Sequence, residues 1–409
     1  MPERFAIRLK EEGARGDDES VGAWFGVGVM CGSSLDGTDL ALCRYNRGSD
    51  GLWTHDFIAT ETIPYEEPWG KHLLELPHAS AQELASSHVA FGHYLSGLLV
   101  DFQARFPEPV HVVGVHGHTV FHDPDRGYTF QLGDGETIAA GLDCPVISNF
   151  RTKDIALGGQ GAPLVPVGEQ LLFPEIDCFL NLGGIVNLTT PVGAYDICTG
   201  NQALNELAEK LDPNLRFDPE GRYAAEGRVI ESLLAALESQ EYILRSPPKS
   251  LGREWYESQL HPLLATNEAS VRDLLATYTE HIARQVARAL EAYEAGSPKL
   301  LVTGGGYYNT YLLDRIKSLL EVGATAVVDP ASSDLVLFKE AMIFGFLGLL
   351  NLLGETNIDA SFTGARKSVI GGSIHQPFSG ARWKAQNERA KPLTMSQRNR
   401  TVRSRQGNE

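Results

Sequence analysis

The stretch "VGVMCGSSLDGTDLALCRY", residues 27–45, decides how this chain reads. An apolar run ends at Cys31, a loop of small residues carries a single aspartate, and a second apolar run follows from Thr38. A plain reversal needs only two residues. A longer loop built from Gly32, Ser33, Ser34, Leu35, Asp36 and Gly37 lets backbone amides come close to a ligand, because glycine and compact hydroxyls leave the approach open. The stretch therefore predicts a β-hairpin whose corner is shaped as an anion cradle. In a plain turn, Asp36 would bond its own backbone instead.

Working outward, strands are expected over about 24–30, 38–45, 53–61, 111–116, 145–149, 177–182, 185–190, 299–303 and 325–329. Helices are expected over about 81–105, 201–211, 224–239, 268–295, 308–320 and 335–353. In the longest of these, Val271, Leu274, Leu275, Tyr278, Ile282 and Val286 recur at helical spacing. Such alternation predicts an α/β architecture with mixed sheets. "DCFLNLGGIVNLTT", at 177–190, repeats the strand, glycine corner, strand order of the opening stretch and hints at two similar halves. The expected division is a tail over 1–21, a first lobe over 22–175, a second lobe over 176–375 whose last helix can pack back on the first, and a basic tail over 376–409.

The 409 residues are 43% hydrophobic and 21% charged, enough for a large core without staples. A net charge of −17 argues against a general nucleic-acid binder. Five scattered cysteines, never paired as CxxC, read as reduced thiols rather than a disulfide frame or a zinc site. No apolar leader occupies the first twenty residues, and the apolar run at 341–353 is too short to span a bilayer, so the expected location is cytoplasmic.

Three further glycine corners stand out: "LGGQGAPLVP" at 157–166, "YDICTGNQALNEL" at 195–207 and "LLVTGGGYYN" at 300–309. None is a Walker A or a GxGxxG loop. Four such corners at strand ends in both halves favour a nucleotide cleft between the lobes over four unrelated turns. Asp196, at the end of a strand-like segment in the second half, is the candidate general base. Its bland alternative is a cap on the helix from Asn201, for which Thr199 is better placed.

"GVMCGSSLDGTDLAL", "VHGHTVFHDP", "NFRTKDIALGGQGAPLVP", "NLGGIVNLT", "YDICTGNQALNE", "PPKSLGREWY", "LLVTGGGYYN" and "LFKEAMIFGFLG" resemble, in that order, the anhydro-N-acetylmuramic acid kinase family. The resemblance runs from about Val27 to Gly371. It implies the two-lobed actin/Hsp70/sugar-kinase-like (ribonuclease H-like) fold, with mixed sheets, a β-hairpin opening each lobe, and ATP–Mg²⁺ in an interlobe cleft. It also implies the addition of water across the 1,6-anhydro bond of a murein sugar and phosphorylation of the freed O6, in a homodimer without nucleic-acid or membrane partners.

By resemblance, Gly32, Ser33, Ser34, Leu35, Asp36, Gly37, Gly200 and Asn201 face the phosphates, with Asp36 reaching Mg²⁺ through water. Gly304, Gly305, Gly306 and Asn309 lie by adenine and ribose. Asp196 activates water, and His116, Thr119, Arg151, Gly159, Gln160 and Glu340 border the sugar. Lys249 and Arg253 match a segment whose cation could meet the lactyl carboxylate or join an ion pair. Three departures stand out: MSGTSLDGID reads Met30 to Asp39 as MCGSSLDGTD, HGQT reads His116-Gly117-His118-Thr119, and DTGPGN reads Asp196-Ile197-Cys198-Thr199-Gly200-Asn201. The last puts Cys198 where a side chain could block backbone approach, which keeps a kinase for another sugar, or an ATP-binding pseudokinase, as alternatives.

Overall fold

The computed structural model describes residues 22–32, 35, 37–247, 249–252, 255–291, 293, 298–320 and 325–378, with backbone only at 67 and 68. Ser33, Ser34, Asp36 and Arg253 lie outside the described residues, as do both expected tails apart from residues 376–378. The described chain carries strands β1 (Gly22–Cys31), β2 (Gly37–Arg47), β3 (Trp53–Pro64), β4 (Val112–Val115), β5 (His118–Asp123), β6 (Tyr128–Leu132) and β7 (Val146–Ser148). They are followed by β8 (Cys178–Leu182), β9 (Ile185–Thr190), β10 (Gly193–Thr199), β11 (Lys299–Thr303), β12 (Ala326–Val328) and β13 (Ser373–His375).

The described residues divide into one unit within 22–172 and 340–378 and a second within Phe173–Lys339. In the first unit the described strands lie in the order β13-β7-β4-β1-β2-β3, and in the second β10-β9-β8-β11-β12. In the first, β1 pairs antiparallel with β2 and β2 with β3, while β1–β4 and β4–β7 are parallel. In the second, β8 pairs antiparallel with β9 and β9 with β10, while β8–β11 and β11–β12 are parallel. Leaving aside β13, the two sheets share one order and one polarity. The repeated corner in the sequence therefore marks a duplicated sheet, although the side chains filling the two have diverged.

Helix Ser333–Leu353 is 21 residues, longer than its apolar run suggests, and it meets the length and hydropathy of a membrane span. Its apolar window is 83% buried, so it is a core helix. From Glu340 on it belongs to the first unit. The reason is backbone contact. Gly28 on β1 and Gly114 on β4 stand opposite each other, and a Cβ on either would overlap a carbonyl oxygen of the helix, Ala341 or Phe344 respectively. The Tyr45 hydroxyl donates to the Met342 carbonyl at 2.6 Å.

The single helix expected over 224–239 is two, Arg222–Glu226 and Glu231–Glu238. Helix Val271–Glu291 draws away the intervening amides: Arg228 donates to Asp273 Oδ1 at 2.7 Å and Ile230 to Thr277 Oγ1 at 2.9 Å. Tertiary hydrogen bonds here override a propensity that favoured continuity.

Candidate functional site

Parallel strands place the candidate residues. In the first unit β1, β4 and β7 end at Cys31, Val115 and Ser148, so Gly32, His116 and Arg151 follow the carboxyl ends of neighbouring strands. Such ends are where open α/β sheets bind ligands. The His116 amide donates back to the Val29 carbonyl at 3.0 Å. Arg151 rides on the short helix Phe150–Ala156, reached through Asn149 in a left-handed conformation.

The His116 ring is buried and fixed on both sides. Its Nδ1 lies 2.7 Å from the Gly117 carbonyl, which only accepts, so Nδ1 carries the proton. Nε2 therefore accepts from the Arg151 guanidinium at 2.7 Å. Burial, reinforced by the Arg151 charge, holds His116 well below the usual histidine range. His116 is thus a neutral positioning group rather than an acid or base. The other Arg151 nitrogen donates to the Gly161 carbonyl at 2.6 Å.

The corner at 157–166 is held by one buried carboxylate. Asp154 Oδ2 accepts from the Gly161 amide at 2.7 Å and Oδ1 from the Thr363 hydroxyl at 2.6 Å. The Gly159 amide donates to the Asp154 carbonyl at 3.0 Å and the Gln160 amide to the Thr363 carbonyl at 2.8 Å. With those amides spent, Gly159 and Gln160 offer a ligand their remaining surface only. Asp154→Ala is expected to lower stability by about 2–4 kcal/mol, since two buried donors lose their acceptor; a denaturant titration measures it, and a loss under about 1 kcal/mol would contradict this account. Thr119 Oγ1 accepts from Gln131 Nε2 at 3.3 Å. Glu340 is half-buried at the point where helix Ser333–Leu353 enters the first unit.

In the second unit β8, β10 and β11 run the same way and end at Leu182, Thr199 and Thr303, with Thr303 opposite Asn181. This brings three corners to one sheet end: the β8–β9 turn Gly183–Gly184, Gly200–Asn201 and Gly304–Gly306. Asn201 Nδ2 donates to the Leu182 carbonyl at 3.0 Å. Gly304 adopts φ +86°, and a Cβ there would overlap Asn181 Oδ1 and lie 2.9 Å from the Leu182 carbonyl carbon, so only glycine fits. The Gly200 and Asn201 amides are spent on the Gly184 and Gly183 carbonyls at 2.8 and 2.9 Å. Their visible role is to fix the Gly183–Gly184 turn, where a Cβ on Gly184 would meet nothing within 4 Å. That turn was visible as "NLGG" in the sequence but its glycines were not assigned.

The Asn309 side chain gains a structural partner, and one expectation, that for Cys198, changes. Asn309 Oδ1 accepts from the Leu312 amide at 3.0 Å, so its side chain caps helix Thr310–Leu320. Cys198 is fully buried in the core of its unit, where burial pushes the thiol up to about 12, so its side chain does not stand at the corner. A bulge between Asp196 and Cys198 sets this phase.

Asp196 lies within β10 and is half-buried. Gly200 holds the N-cap position of helix Asn201–Leu211 without a side-chain hydrogen bond, so neither Asp196 nor Thr199 caps it. Instead Asp196 Oδ2 accepts from the Leu251 amide at 2.8 Å. Lys249 Nζ donates to the Tyr242 and Ile243 carbonyls at 3.1 and 3.3 Å, at the end of the short helix Glu241–Leu244.

A family profile described as anhydro-N-acetylmuramic acid kinase matches residues 25–377. A protein of that name from Pseudomonas savastanoi pv. phaseolicola is 35% identical over 373 residues, covering 86% of this chain and 99% of its own. Another of that name, from Francisella tularensis subsp. novicida, is 35% identical over 377 residues, covering 85% and 98%. Among solved structures, a hexokinase of the ROK group from Thermus thermophilus overlaps at a TM-score of 0.34 and 12% identity, covering 80% of this chain and 99% of its own; an overlap that slight carries no argument.

Proposed function

Because this chain belongs to the anhydro-N-acetylmuramic acid kinase family, we propose that it converts 1,6-anhydro-N-acetylmuramate, water and ATP to N-acetylmuramate 6-phosphate and ADP in cell-wall sugar recycling. Asp196 takes a proton as water oxygen bonds to the anomeric carbon. The C1–O6 bond breaks, and its electron pair stays on O6, which attacks the γ-phosphorus as the bond to ADP breaks. The observation that carries the reading is a family match over 25–377 that includes an aspartate on β10 whose carboxylate is held by a backbone amide.

On this reading the corners at 32–37, 200–201 and 304–306, with Asn309 and the adjoining Gly183–Gly184 turn, serve ATP. Arg151, oriented by His116 and Gly161, serves the sugar together with Thr119, Gly159, Gln160 and Glu340. Mg²⁺, when bound, offsets phosphate charge; a kinase cation needs only one or two carboxylates besides the nucleotide. Asp36 is the residue this reading assigns to it, through water; it lies outside the described residues, among which no trio of His, Cys, Asp or Glu forms a metal cluster. The remaining assignments are a homodimer and a cytoplasmic location.

Incubation with ATP, Mg²⁺ and the anhydro sugar tests the proposal. ADP and phosphosugar in equal amounts are expected. ADP release indifferent to the sugar, or ATP binding without turnover, would overturn it.

A further inference from the structure

We propose that Tyr242, Lys249 and the backbone of residues 249–251 form a clamp that positions the Asp196 carboxylate, an inference that rests on the reading of Asp196 as the base. Three groups of Asp196 are held from one side. Its amide donates to the Lys249 carbonyl at 3.2 Å, its carbonyl accepts from the Tyr242 hydroxyl at 2.7 Å, and its Oδ2 accepts from the Leu251 amide. The bulge after Asp196 interrupts the regular pairing of β10 with β9 at this point.

The clamp is itself cross-tied. Lys249 Nζ reaches back to the Tyr242 and Ile243 carbonyls and sits 4.7 Å over the Tyr242 ring. That ring packs on Trp255 at 5.3 Å. The Tyr242 hydroxyl therefore cannot relax without moving the segment that supplies the carboxylate's donor. A general base works within a narrow geometric range, and displacement by about 1 Å costs up to about 10²-fold in rate.

The test uses the full chain with ATP, Mg²⁺ and 1,6-anhydro-N-acetylmuramate, reading ADP release and thermal unfolding together. Tyr242→Phe and Lys249→Met are each expected to lower kcat about tenfold, while KM for sugar and for ATP stays within about twofold. Lys249→Arg, which keeps a donor to the carbonyls, is expected to recover most of the lost kcat. Should Tyr242→Phe fail to fold, the Lys249→Met and Lys249→Arg pair carries the decision. Wild-type kcat in Tyr242→Phe and Lys249→Met, or a loss confined to KM, overturns the clamp while leaving Asp196 as base. Full turnover in Asp196→Asn overturns the reading of Asp196 instead, whatever the clamp variants do.

Discussion

Asp196→Asn is expected to reduce kcat by about 10²–10⁴, the range a positioned general base contributes. The substitution keeps the shape of the side chain and an oxygen to accept from the Leu251 amide at 2.8 Å, so stability should change by less than about 1 kcal/mol. On the proposed reading, what is lost is the capacity to take a proton from water as the anomeric carbon is attacked. The effect should fall on kcat and kcat/KM alike, because the missing interaction is made in the transition state. ATP affinity should be unchanged. A variant that turns over within tenfold of the wild-type rate would remove Asp196 from the chemistry.

The largest effect on stability is expected at Gly28→Ala. Gly28 is paired with Gly114 in parallel register, and the backbone of helix Ser333–Leu353 lies on the pair. An added methyl would overlap the Ala341 carbonyl oxygen and stand 2.8 Å from the Gly345 nitrogen. Neither obstacle is a side chain that could rotate away, so the helix must lift off β1. Overpacking costs about 1–3 kcal/mol where side chains yield and more where backbone is the obstacle; about 3 kcal/mol or more is expected here. Gly97→Ala is the contrasting case. Gly97 is exposed in helix Ala81–Gln103, and a Cβ there meets nothing within 4 Å. It should gain about 0.5–1 kcal/mol. Denaturant titration of the two variants measures both signs, and a Gly28→Ala protein as stable as wild type would show that the helix does not rest on these strands.

The sheets were readable in advance because their strands are strongly apolar and separated by glycine corners. Strands Gly22–Cys31 and Gly37–Arg47 and their counterparts Cys178–Leu182 and Ile185–Thr190 carry that pattern without ambiguity. Short polar elements did not announce themselves. His118–Asp123 and Tyr128–Leu132 form a two-stranded ribbon that mixes polar and apolar side chains, and helix Phe150–Ala156 is too brief to show a period. Arg151 and Asp154, which hold the corner at 157–166, sit on that helix, so their motif could be seen but not their partners. Cys198 was misjudged for a related reason. A bulge between Asp196 and Cys198 shifts which side chains face the core, and sequence alternation cannot reveal where pairing slips. Asn309 sat inside a recognisable motif, yet its side-chain oxygen is committed to the amide of Leu312. Residue type pointed to polar contact there and left the partner open.

The most direct measurement runs the reaction in ¹⁸O-labelled water, with a brief reaction time and product examined by mass spectrometry. Water addition at the anomeric carbon places one labelled oxygen on C1 of the phosphosugar, with the phosphate oxygens unlabelled and one ADP formed per labelled sugar. Label appearing in inorganic phosphate, or phosphosugar formed without label at C1, would mean that water attacks elsewhere and that Asp196 has no such step to assist.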